Sequence, residues 1–162
     1  MKSGIPEKYR LAALTEERDP LKNRAALEGI TALDAGMFPG NPWGRAGFEE
    51  SVSNEYDFLV AAEADDSAEI LGYGLLRCFD DAEVIRIAVS EASRRQGIGR
   101  MLLAEMIAHA KACGAAGIFL EVRSGNTAAV GLYREAGFTE EGIRKGYYHD
   151  PPEDALIMRY SC

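Results

Sequence analysis

The sequence is poor in the features that mark metal, disulfide or membrane proteins. Its three cysteines, Cys78, Cys113 and Cys162, lie far apart and form neither a zinc-ligand pattern nor a disulfide framework. No metal is expected, and no cysteine–histidine–acid set implies a covalent enzyme intermediate. No apolar run approaches the ~20 residues that span a bilayer. Met1-Lys2-Ser3-Gly4-Ile5-Pro6 carries no apolar signal core. A cytoplasmic location is the default expectation, with no membrane partner. Basic residues are also in deficit: 18 lysines and arginines face 26 aspartates and glutamates, a formal net charge of −8. That balance argues against nucleic acid as a direct ligand. It leaves two readings open, a charge that serves solubility or one that favours a basic partner.

What is present suits one ordinary globular domain over residues 1–162, with 47% apolar and 27% charged residues and enough length for a real core. Residues 9–14 read as a weak first strand. Pro20 opens a helix along which Leu21, Ala25, Leu27, Ile30, Leu33 and Met37 recur at roughly helical spacing. Pro39-Gly40-Asn41-Pro42 breaks it. Residues 45–52 suit a short second helix. Residues 57–62, 70–79 and 83–89 read as strands whose short connections require an antiparallel meander. A helix over about 97–113 puts Ile98, Leu102, Met106, Ala110 and Cys113 on an apolar face, so Cys113 is expected in the core. His109, near the negative end of that helix, is expected at the surface. Residues 117–122 form a strand, Asn126 caps a helix that Gly137 ends, and 138–148 and 155–160 supply two last strands, joined by a loop holding Pro151-Pro152. The predicted fold class is mixed α+β: one central sheet with helices on both faces.

One stretch organises this chain: Arg94-Arg95-Gln96-Gly97-Ile98-Gly99-Arg100, a glycine-bearing loop between a strand and the long helix. Such a junction aims backbone N–H groups and the positive end of the helix dipole at one spot, where an anion, above all a phosphate, can sit. Gly97 and Gly99 lack a Cβ and permit close approach. Arg94, Arg95 and Arg100 add positive charge. A plain turn with close packing fits the same pattern. The Gly-Lys-Ser/Thr ending of a Walker loop is absent, and so is the third glycine of a dinucleotide fingerprint.

Glu121 is the second point of interest, a carboxylate inside the apolar run Ile118-Phe119-Leu120-Glu121-Val122. Alternation places it with Phe119 and Arg123, opposite Ile118, Leu120 and Val122. A charge there needs a partner or a purpose. A salt bridge to Arg123 or Arg86, a solvated strand face and a chemical role all remain open. Tyr133 lies on the following helix beside Ala129, Val130 and Ala136, a position that suits a core residue as well as a catalytic one.

Together these pieces resemble a known family. The glycine loop, Leu120-Glu121-Val122-Arg123, Asn126, Ala128-Ala129, Leu132-Tyr133 and Gly137-Phe138 resemble the GNAT acyl-CoA N-acetyltransferases, and more narrowly the RimI-type ribosomal-protein-alanine N-acetyltransferases. Ile87-Ala88-Val89 is similar to that family's acetyl-CoA strand, and Tyr147-Tyr148 with Glu153-Asp154-Ala155-Leu156-Ile157-Met158 to its C-terminal signature. Pro42-Trp43 echoes a Pro-Trp near its N-terminus. Three places depart from the pattern: Gly125 stands where serine is common, Ser90-Glu91-Ala92 replaces Asp-Pro, and the part around Gly40-Asn41 is longer.

The resemblance implies a GNAT fold, mostly antiparallel and twisted, with acetyl-CoA as co-substrate and a protein N-terminal α-amine as acceptor. It implies Glu121 as general base and Tyr133 as the acid that protonates the leaving thiolate. It assigns the backbone of Ile87, Ala88 and Val89 to the acetyl and pantetheine arm. The loop Arg94, Arg95, Gln96, Gly97, Ile98, Gly99 and Arg100 takes the pyrophosphate, and Asn126 adds a cofactor contact. A phenol, at pKa ≈ 10, lies roughly 1.5 units above a thiol, near enough to donate late in the reaction. The expected acceptor is a basic protein N-terminus, a ribosomal protein among the candidates. The rival readings are a GNAT acting on a small amine or lysine side chain, and a non-catalytic acyl-CoA-binding module.

Overall fold

The computed structural model describes residues 9–162; the N-terminal stretch read for a signal core lies outside the described residues. The elements run β1 (Tyr9–Ala13), α1 (Pro20–Met37), α2 (Gly44–Ser53), β2 (Asp57–Ala64), β3 (Ile70–Cys78) and β4 (Ala82–Val89). A short 3-10 turn (Glu91–Ser93) precedes α3 (Ile98–Ala112), β5 (Gly117–Arg123), α4 (Thr127–Ala136), β6 (Thr139–His149) and β7 (Pro152–Ser161). Local chemistry sets several of these bounds. Asp19 caps α1 by accepting from the Leu21 and Lys22 N–H groups at 2.8 and 3.3 Å, with Pro20 in the first turn, where its missing N–H costs nothing. Asn126 accepts from the Ala129 N–H at 3.2 Å to start α4. Pro152, expected in a loop, instead opens β7, the place in a strand where proline is tolerated.

The strands form one sheet in the order β1-β2-β3-β4-β5-β7-β6. All neighbours are antiparallel except β4 and β5. Helices cover both faces. The cluster containing Val60, Leu76, Leu102, Met106, Ile118 and Leu120 lies under α3 and α4, and that containing Ile30, Phe48, Leu59, Tyr73 and Leu75 under α1 and α2. α3 buries Ile98, Leu102, Leu103, Met106 and Ala110, and its large side chains each contribute about 1.5–3 kcal/mol by leaving water. The helix sits close because β3 has no side chain at Gly74, where a Cβ would stand 2.5 Å from the Met106 sulfur.

Two expectations on α3 fail. Cys113 caps the helix end rather than joining its apolar face, and is exposed. His109 is half-buried, its ring stacked on Phe58 with centroids 3.9 Å apart.

On the other face, Asp34 of α1 is fully buried and therefore needs partners. It accepts from the Tyr73 hydroxyl at 2.5 Å, Arg86 Nη1 at 2.9 Å and the Trp43 backbone N–H at 2.7 Å. Arg86 also donates to the Asn41 carbonyl and lies 4.5 Å over the Phe38 ring. The Pro39–Pro42 break is thus wrapped around a buried ion pair. Removing one partner of such a pair costs roughly 3–5 kcal/mol, because the other charge is stranded. Asp34→Ala is expected to lose stability of that order in urea unfolding, and the double variant Asp34→Ala/Arg86→Met less than the sum of the two single changes.

Candidate active site

The site begins with a fault in β4. The register with β3 pairs Leu75 with Arg86 and Leu76 with Val84, so Ile85 is an extra residue, a β-bulge. The bulge switches which residues face which side. Ala82 and Val84 join the α3 side, Ile85 and Ala88 the α1 side, and Ile87 and Val89 the α3 side again. Beyond this point β4 no longer follows β5. The two strands pair only at Ala82↔Ile118 and Glu83↔Phe119. The backbone of Ile87, Ala88 and Val89 is paired to β3 on one edge and turns its other edge to the gap where the strands part. Any N–H or C=O group on that edge without a protein partner is open to a ligand.

At the mouth of the gap stands the glycine loop. Gly97 holds the N-cap position of α3 in the left-handed conformation, φ 82°, and no side chain caps the helix. The first-turn N–H groups are therefore available. Arg95 is also left-handed, φ 62°. A non-glycine residue there carries about 1–2 kcal/mol of strain, which the sequence did not signal. Alternating backbone of this kind turns successive N–H groups into a concavity suited to an anion. The arginines are less uniform than expected. Arg94 turns its Nε to the Val89 carbonyl at 3.4 Å, and Arg100 pairs with Glu135 of α4 at 2.7 Å. Gln96 is exposed and Ile98 buried, so only the backbone of Ile98 faces the loop. The Asn126 side chain is spent at least in part on capping α4.

Glu121 lies on the β5 face expected from alternation, partly buried, but its partner is neither Arg123 nor Arg86. Those are taken by Glu153 and Asp34, and Glu121 pairs with Arg144 of β6 at 2.9 Å. The Glu121 carboxylate, by hydrogen bond and by charge, pushes the Tyr147 phenol up. Glu83 joins the same cluster: burial and then the Glu121 charge raise its carboxyl above the usual range. Glu83, Arg144 and Tyr147 escaped the sequence reading as neighbours of Glu121. Only the β4–β5 and β5–β7–β6 pairings bring them there. Tyr133 is buried in the opposite layer, its ring 5.8 Å from Phe138. Burial pushes its phenol well above the ordinary value, so it stays protonated. Glu121 and Tyr133 thus flank β5 from its two sides.

The acidic segment over 150–154 is less free than its charge suggests. Glu153 accepts from the Gly125 N–H at 2.6 Å and Asp154 from the Gly146 N–H at 2.8 Å. Gly125 has a reason of its own, since a Cβ there would stand 2.8 Å from the Glu153 carboxylate.

The two loop glycines are separable. A Cβ on Gly99 would meet Leu132 at 3.4 Å and Val89 at 3.6 Å, ordinary contact, and Gly97 has open space but a left-handed φ. Gly97→Ala is expected to lose about 1–2 kcal/mol in thermal or urea unfolding. Gly99→Ala, inside the helix, should match or exceed the wild type by up to ~1 kcal/mol.

Comparison with known proteins gives the family and the fold. The acetyltransferase (GNAT) family model matches residues 27–138. N-alpha-acetyltransferase RimI of Mycobacterium tuberculosis is 33% identical over 156 residues, 90% of this chain and 96% of its own. An uncharacterised Mycobacterium leprae protein is 38% identical over 141 residues, but this chain spans only 38% of its length. The crystal structure of the ribosomal-protein-S18-alanine N-acetyltransferase from Escherichia coli superposes with a TM-score of 0.77 at 27% identity, covering 95% of this chain and 94% of that one. The chain therefore belongs to the GNAT family, as an acetyl-CoA-using N-acetyltransferase related to the RimI enzymes.

Proposed function

We propose that the protein transfers acetyl from acetyl-CoA to the N-terminal α-amine of a protein, with a ribosomal protein as acceptor and the cytoplasm as its place of action. The observation that carries this reading is the gap between β4 and β5, which opens beside the uncapped N-terminus of α3 and is flanked by Glu121 and Tyr133. The pyrophosphate rests on the N–H groups of the loop from Arg94 to Arg100, and the pantetheine amides pair with the free edge of Ile87, Ala88 and Val89. The thioester then lies between the strands. Glu121 takes a proton from the amine as its nitrogen attacks the acetyl carbon. The carbon–sulfur bond breaks and the thiolate receives the Tyr133 proton. A backbone N–H near Val89 stabilises the oxyanion in between. Burial makes Tyr133 a weak acid, so it acts late, when charge has built up on sulfur. No step in this sequence calls on a metal.

An α-amine suits this site on energetic grounds. Neutralising one at pH 7 costs roughly 1 kcal/mol, against roughly 4.6 kcal/mol for a lysine. The RimI relationship points the same way.

A matched pair of peptides tests the acceptor, one with a free alanine N-terminus and no lysine, one N-terminally blocked with a single lysine. The first should react at least about tenfold faster in kcat/KM, a difference of ~1.4 kcal/mol. Faster modification of the blocked peptide overturns the α-amine assignment. For the acid, Tyr133→Phe is expected to lower kcat by ~10²–10⁴-fold with little change in KM. A folded variant within twofold of wild type would make Tyr133 a core residue only.

A further inference from the structure

The cysteines look unrelated in the sequence, yet two of them converge at the end of the sheet remote from the glycine loop. Cys78 is the last residue of β3, and His109 and Cys113 stand four apart at the C-terminal end of α3. One donor atom from each lies within 4.8 Å of the other two. We propose that Cys78, His109 and Cys113 form a binding site for a soft divalent metal of the zinc class.

Ligand spacing, ring placement and charge support this site. The distances fit: with Zn–S near 2.3 Å and Zn–N near 2.0–2.1 Å, tetrahedral ligands stand about 3.5–3.8 Å apart, so small rotamer adjustments close the set. The imidazole is held in place: its ring stacks on Phe58 with centroids 3.9 Å apart, which fixes its plane. The charge also balances. Cys78 is buried, where a lone thiolate would be costly. A divalent ion with two thiolates and a neutral imidazole is electrically neutral and removes the cost of burying a lone thiolate. The cation would also sit at the negative end of the α3 dipole.

The donor set is two sulfurs and one nitrogen, which selects zinc over magnesium or calcium. Cys78 and Cys113 also line a surface hollow of about 460 Å³, together with Glu55, Tyr56, Phe79 and Asp80. Water from that side would complete a tetrahedron. Bound there, the ion ties the end of β3 to the last turn of α3. It lies away from the β4–β5 gap and takes no part in acetyl transfer.

The test uses full-length protein, fully reduced, stripped of metal with a chelator and titrated with Co²⁺. The expected result is one Co²⁺ per chain, with thiolate-to-cobalt charge-transfer absorption and the visible bands of tetrahedral cobalt, bleached by Zn²⁺. Cys113→Ser changes an exposed position and should leave the fold intact by circular dichroism. That variant and His109→Ala are each expected to weaken binding at least ~100-fold, since even an outer-shell partner is worth 10–100-fold. Zn²⁺ should raise the thermal midpoint of wild type and not of Cys113→Ser. Cys162→Ser is the control, its thiol lying outside the set of mutually close donors. Absence of the charge-transfer band in reduced wild type, or binding that survives Cys113→Ser or depends on Cys162 alone, overturns the proposal. The acetyl-transfer assay is scored separately, and its outcome bears only on the β4–β5 site.

Discussion

β4 cannot remain paired with both of its neighbours. Along β3 it is held by antiparallel pairs from Gly72↔Val89 to Cys78↔Ala82, and it reaches them all only by accommodating the bulged Ile85. β5 is held just as firmly on its other edge, by pairs from Gly117↔Ser161 to Arg123↔Ala155 of β7. After two residue pairs the strands part, and two unpaired edges face each other in the middle of the sheet. On an outer edge such groups invite aggregation. Here they are sheltered between layers, where the proposed pantetheine arm would bring amide groups of its own. α3 leaves from the end of β4 and leads into β5, so its N-terminus stands at the mouth of that gap by construction.

The flanking electrostatics follow from where charges had to be paired. Asp34 and Arg86 are buried on the α1 side and satisfy each other, with Tyr73, Trp43 and Asn41 completing their hydrogen bonds. Their pairing removes Arg86 from the field around Glu121 and anchors the longer segment over 38–43. Glu121 is left to Arg144 on the strand at the far edge of the sheet, in a patch with Glu83 and Tyr147. Side-chain exposure is 56% at Arg144 against 18% at Glu121, so the arginine is the more solvated partner of this pair. A net acidity that suggested a basic acceptor is partly consumed within the fold, since Glu153 and Asp154 bind backbone N–H groups.

The two ends of α3 carry different chemistry for one reason. A helix of fifteen residues from Ile98 to Ala112 holds the positive end of its dipole at the glycine loop and the negative end at Cys113. An anion suits the first and a cation the second. β3 lies beneath the helix along this length, glycine at its middle and cysteine at its end, which is how a strand residue comes to complete a donor set begun on the helix.

The sequence by itself determined what acts over a few residues. Pro20 and Asn126 open helices, Gly137 ends one, and alternation in β5 puts Glu121 opposite Ile118, Leu120 and Val122. The meander of β2, β3 and β4 and the two covered faces of the sheet follow from connection lengths and apolar periodicity. Only the tertiary structure decided what depends on strand order and register. The extra residue at Ile85 reverses the facing of everything after it in β4, and no local pattern marks a bulge. Glu121 meets Arg144 because β7 lies between β5 and β6, not because of any spacing in the chain. Cys78 meets His109 and Cys113 because α3 is drawn down onto β3. Caps and periodicities are written in neighbouring residues, whereas these contacts join segments more than twenty positions apart and exist only once the whole sheet has closed.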